Sequence, residues 1–103
     1  MHAILKTFLL LILLWLPAQL VFAQTIVNVG AYNFPPYIIQ AESDNPSGLL
    51  IDLLELLNQQ QTEFSFVLVP TSVTRRYQDM ASGRFDLIAF ESADWGWQDQ
   101  PHQ

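Results

Sequence analysis

The chain is 103 residues long, with ten Asp or Glu against four Lys or Arg, two His, no Cys and half its residues hydrophobic. Such a length holds one small domain, which excludes a multidomain enzyme within it. The net charge of −6 opposes nucleic acid as a partner, because that binding needs a basic face to release counterions. The absence of Cys removes disulfides, thiolate metal sites, cysteine nucleophiles and Cys-linked lipid anchors together.

Residues 1–23 have the order of an export signal. Lys6 supplies the positive start, Phe8 to Leu16 the apolar run, and Val21 and Ala23 the small residues before a cut at Gln24. Lys6, Pro17 and Gln19 interrupt the apolar stretch and leave a core short of the roughly 20 residues that span a membrane. The expectation is a cleavable signal peptide, a mature chain of residues 24–103, no stable membrane anchor after cleavage, and a periplasmic location. Lys6 leaves with the signal. Arg75, Arg76 and Arg84 then face ten acids, a net charge of −7.

Thr25 to Gly30 alternates β-branched with small or polar residues and predicts a strand. Asn33-Phe34-Pro35-Pro36-Tyr37 cannot continue it, because two prolines remove two donors and fix φ. Tyr37 to Ile39 reads as a brief extended segment, and Glu42 to Gly48 as a polar turn. A helix follows from Gly48 to Gln60 with Ser47 as its cap. Asp52, Glu55 and Gln59 form one narrow solvent stripe on it, and the remaining apolar perimeter predicts burial on the other sides.

Phe64 to Val69 is the second strand, closed by Pro70. Thr71 or Ser72 caps a second helix running through Arg75, Tyr77 and Met80 to Ser82, with Gly83 at a left-handed C-terminal position. Phe85 to Phe90 is the third strand. No element is expected from Glu91 onward. The order βαβαβ predicts an α/β fold with a three-stranded parallel sheet and two helices.

In an open parallel sheet, ligands gather beyond the carboxyl ends of the strands. The first such end offers Tyr32, Phe34 and Tyr37 on a proline-stiffened loop. The second offers Thr71, Ser72 and Thr74 beside Arg75 and Arg76, and the third Glu91, Ser92, Asp94, Trp95 and Trp97. Rigid aromatic walls with a few polar groups describe a small-molecule binding edge. Each group has a plainer reading: the aromatics as packing, the arginines as a solvated helix face, the acids as surface charge. With His2 and His102 near opposite ends, no His-based triad or metal cluster forms, and there is no phosphate loop, HExxH or GxSxG. No catalytic residue, metal ligand or cofactor is assigned.

The ordered motifs resemble the family 3 bacterial extracellular solute-binding proteins, the periplasmic receptors that feed ABC transporters. Phe34-Pro35-Pro36-Tyr37 is similar to the family's Tyr-x-Pro-Phe or Tyr-Pro-Pro-Phe loop. Gly48-Leu49-Leu50-Ile51-Asp52-Leu53 is similar to its Gly-Phe-x-Val-Asp-Leu. Gly83-Arg84-Phe85-Asp86-Leu87-Ile88 is similar to its Gly-Lys/Arg-x-Asp-Leu-Ile. Three motifs in order behind a signal cover about Val27 to Glu91.

The resemblance implies part of lobe one of a type II periplasmic-binding-protein fold. It also implies non-catalytic recognition of a small polar solute, such as an amino acid or amine, and an ABC transporter permease as a partner. Of the candidates at the strand ends, the expected ligand-binding set is Tyr32, Phe34, Tyr37, Arg75, Glu91, Ser92 and Trp95. Two departures stand out. The Arg that clamps an α-carboxylate in amino-acid binders falls near Gln98 here, amid Glu91 and Asp94, and the acid before the first aromatic falls at Ala31. A neutral or cationic ligand is therefore expected, with Arg75 and Arg76 as the route to an anionic one. The chain also stops before the hinge into lobe two, so a truncated product and a sensing or accessory domain of a larger periplasmic enzyme or sensor are the alternative readings.

Overall fold

A computed structural model describes residues 23–101, so the export signal expected over residues 1–23 lies outside the described residues except for Ala23. The elements are β1 (Thr25–Ala31), α1 (Leu49–Gln60), β2 (Phe64–Pro70), α2 (Arg76–Ala81), β3 (Leu87–Ile88) and a 3₁₀ turn (Trp97–Asp99). The sheet has the order β2-β1-β3, all parallel, with Thr25 opposite Phe64 and Ala31 opposite Pro70. The expected α/β fold of three parallel strands and two helices is present.

Because side chains alternate along a strand, β1 serves two layers. Val29 and Ala31 face Leu50 and Leu54 of α1 and close a core with Ile38 and Ala41; Val27, Phe66 and Leu68 pack around it. On the opposite face, Gly30 lies under the ring of Phe85, itself 1% exposed.

The start of α1 differs from expectation. Ser47 does not cap it; Gly48 holds the cap position at φ 110° with no side-chain cap, and the Ser47 backbone pairs instead with Ile39 in both directions. The first helical N–H groups are satisfied by the proline loop, Leu49 N donating to Pro36 O at 3.4 Å and Leu50 N to Tyr37 O at 2.9 Å. A Cβ at position 48 would stand 2.6 Å from the Tyr37 carbonyl oxygen, and the positive φ disfavours any side chain there. The apolar perimeter of α1 is also less covered than its composition predicts: Leu49, Leu53 and Leu56 are exposed.

At the outer edge of β2, Asn58 stands in for a neighbouring strand. Its Nδ2 donates to Phe66 O at 3.0 Å and its Oδ1 accepts from Phe66 N at 2.8 Å. Gln61 serves Phe64 in the same way. α2 is shorter than expected, with Ser72 Oγ accepting from Arg75 N one turn ahead of it. It ends in a Schellman arrangement: Arg84 N donates to Asp79 O, Gly83 N to Met80 O, and Gly83 has φ 77°.

The third strand is two residues long, not the six expected over Phe85–Phe90. Three neighbours cut it short. Phe85 turns onto Gly30, the Asp86 carboxylate accepts from Asn28 N at 2.8 Å beside the Asp86 N to Asn28 O bond, and Phe90 adopts φ 58°.

Candidate functional site

The proline loop is a rigid platform. Phe34 and Ile38 exchange backbone hydrogen bonds at 2.8 and 3.0 Å, Pro35–Pro36 is cis, and Asn33 Oδ1 accepts from Ala41 N at 2.8 Å. Aromatic rings spread from this platform. Phe34 lies 6.2 Å from Tyr32, 5.4 Å from Tyr37 and 6.2 Å, edge-on, from Trp95. Tyr37 stacks on Phe90 at 4.8 Å and 18°. Tyr37 and Trp95 remain exposed while Tyr32 is buried. Four of the expected residues (Tyr32, Phe34, Tyr37 and Trp95) therefore share one aromatic face at the carboxyl end of the sheet.

The two adjacent arginines separate. Arg75 is exposed and pairs with Glu42 at 3.5 Å. Arg76 is buried, with its Nε 2.8 Å from Glu91 Oε1 and both side chains 7% exposed. Its guanidinium lies over Tyr77 at 4.6 Å and Tyr32 at 5.5 Å, donating to Val73 O and, at 2.8 Å, to the Tyr77 hydroxyl. The Arg76–Glu91 contact is Coulombic rather than a well-aligned hydrogen bond: Arg76 Nε, both Glu91 oxygens and Trp97 Nε1 are buried without hydrogen-bond geometry.

Burial raises the Glu91 carboxyl above the ordinary carboxylate range, while the Arg76 charge, the Tyr32 hydroxyl and the Trp97 indole pull it back. Burial, then the Glu91 charge, raises the Tyr32 phenol, with Arg76 opposing.

Glu91 is thus engaged by the protein itself, through Arg76. Glu91 and Ser92 line a cavity of about 570 Å³ outside β3, together with Met80, Leu87, Trp97 and Pro101. The aromatic face follows the carboxyl end of β1 and this hollow the carboxyl end of β3, and both lie where an open parallel sheet gathers ligands. Thr71, a candidate hydroxyl, is buried and donates to Asp79 Oδ2 at 2.7 Å. Among the described residues no group of three or more His, Cys, Asp or Glu is placed to hold a metal ion. Sequence reasoning missed Phe90 and the inward role of Arg76. Phe90 was within reach, because it ends the third strand at the same sheet edge.

Residues 26–93 match the bacterial extracellular solute-binding proteins, family 3. The chain belongs to this family. The match runs from β1 past β3 and takes in Tyr32, Phe34, Tyr37, Phe90 and Glu91, while Trp95 lies two residues beyond it. No curated protein and no solved structure matches the chain. Membership in family 3 supports a solute-binding role in transport and an extracytoplasmic setting, and the family is generally non-catalytic.

Proposed function

We propose that this family 3 protein captures a small polar solute, such as an amino acid or amine, at the face formed by Tyr32, Phe34, Tyr37, Phe90 and Trp95. It hands that solute to an ABC-type transporter and performs no chemistry on it. Residues 1–23 direct export and are removed, and residues 24–103 work in the periplasm as part of lobe one. The observation that carries the reading is the exposed aromatic face on a rigid loop at the carboxyl edge of the sheet.

The charge of the solute follows from how the arginines are used. Arg76 is engaged by Glu91, Arg84 by Asp79 and Arg75 by Glu42, and the clamp position is Gln98, whose amide reaches Asp94 at 3.5 Å. An ammonium group over an indole or phenol face gains about 0.5–2 kcal/mol, so a neutral or cationic solute fits best. Arg75 is the route to an anion, since an exposed pair such as Arg75–Glu42 contributes only about 0–1 kcal/mol and yields readily.

Calorimetry with putrescine, glycine betaine, L-arginine and L-glutamate tests this on the wild type, Phe34→Ala and Arg75→Gln. Binding of an amine or betaine that Phe34→Ala weakens and Arg75→Gln spares is the expected result. Glutamate binding that Arg75→Gln abolishes reverses the charge assignment. N-terminal sequencing of exported material should begin at Gln24, and a start at Met1 removes the signal reading.

A further inference from the structure

The loop after β3 brings Trp95 to the aromatic face, but its own backbone bonds are local. Trp95 N donates to Ser92 O, Asp94 N to Ser92 Oγ, and Gln100 N to Trp97 O. Three restraints tie this loop to the start of α2. Arg76 faces Glu91 at its beginning. Tyr77 donates its hydroxyl proton to the Trp95 carbonyl in its middle. The Tyr77 ring packs on Trp97 at its end, with centroids 4.7 Å apart.

We infer that Arg76, Tyr77 and Glu91 are positioning residues that hold the Trp95 wall against Phe34. The inference rests on the reading of the aromatic face as the solute site. A guanidinium only donates, whereas a phenol both donates and accepts. Arg76 Nη2 occupies an acceptor site on the Tyr77 oxygen at 2.8 Å, which leaves the phenol proton free for the Trp95 carbonyl. Glu91 in turn holds the guanidinium at its Nε. Gly96 permits the close approach, since a Cβ there would lie 2.9 Å from the Tyr77 hydroxyl. The buried charge pair thus acts on Trp95 through Tyr77. Trp95 also meets the aromatic face directly, through its edge-on contact with Phe34.

The test uses the full chain labelled with 5-fluorotryptophan, whose fluorine resonances are assigned through Trp95→Phe and Trp97→Phe. Tyr77→Phe keeps the ring and deletes only the hydroxyl. Its Trp95 resonance should shift or broaden while that of Trp97 and the far-ultraviolet circular dichroism hold. Arg76→Lys, which keeps the charge and loses the fork, should move the same resonance, and Arg84→Gln should not. An unmoved Trp95 resonance in Tyr77→Phe overturns the inference, as does a uniform disturbance of both resonances.

A calorimetric arm with putrescine, glycine betaine and L-glutamate reads the functional consequence. Any of these that the wild type binds should bind Tyr77→Phe at least tenfold more weakly, and unchanged affinity also overturns the inference. If the wild type binds none of them, the solute assignment fails while the fluorine spectra still decide the positioning role.

Discussion

At the scale of single residues, Gly30 fits tightly against Phe85: a methyl group at position 30 would lie within 2.8 Å of three ring carbons. Phe85 is fully enclosed and has nowhere to retreat, so Gly30→Ala should destabilise by about 1–3 kcal/mol, as overpacking does. Urea unfolding measures the loss, and adding Phe85→Leu should recover part of it.

Tyr32 offers a second test, through its raised phenol. Above pH 10 the unfolded chain ionises this tyrosine while the native state still holds its proton. The stability it contributes is complete below pH 10 and is lost as pH rises through the raised native value. Absorbance titration at 295 nm should show a late tyrosine step that Tyr32→Phe removes. The arginines mark where sequence reading stops at this scale. Arg75 and Arg76 are identical in type and adjacent, and successive residues on a helix point about 100° apart. One therefore turns inward to Glu91 and the other outward to Glu42, and the choice depends on tertiary neighbours that local pattern does not encode.

Elements were more legible than residues, because periodicity and turn chemistry reveal them directly. The strands, helices and parallel order all followed from alternation, the Leu-rich run, Pro70 and Gly83. Boundaries failed where a side chain replaced the backbone as partner, as Asp86 does beside Asn28. The cap at Ser47 failed because the loop carbonyls already satisfy the helix start, which no local motif announces. Helix α1 supplies a paired prediction. Leu50 is 1% exposed and Leu53 43% exposed. Leu50→Ala should cost about 2–5 kcal/mol, whereas Leu53→Ala should stay within about 0.5 kcal/mol. Denaturant midpoints compare the two, and equal losses would mean that α1 packs differently.

Over the whole molecule, both layers leave apolar surface bare: Leu49, Leu53 and Leu56 on α1, and Ile26 and Val67 on the sheet. A chain of this size buries only about 60–65% of the surface its unfolded state exposes. Modest stability should follow, with a thermal transition that depends on protein concentration as bare faces find one another. Differential scanning calorimetry at two widely separated concentrations checks it, and a high, concentration-independent transition would contradict it. The aromatic face was readable at this scale before the structure, since the rule that strands present ligand sites at their carboxyl ends needs only topology. The cavity outside β3 is legible only in part: Glu91, Ser92 and Trp97 follow the third strand, but Met80 and Pro101 join them only in space.

The bonds from Leu49 and Leu50 to the carbonyls of Pro36 and Tyr37 make the proline loop and α1 one mechanical piece. In native-state hydrogen exchange, the amides of Ile38, Ser47, Leu49 and Leu50 should open together, with a shared free energy close to that of global unfolding. Early exchange of Ile38 alone would break the piece in two. A solute arriving at Phe34 and Tyr37 would then meet a surface already frozen in place, and its binding entropy would carry little penalty for ordering that side of the site.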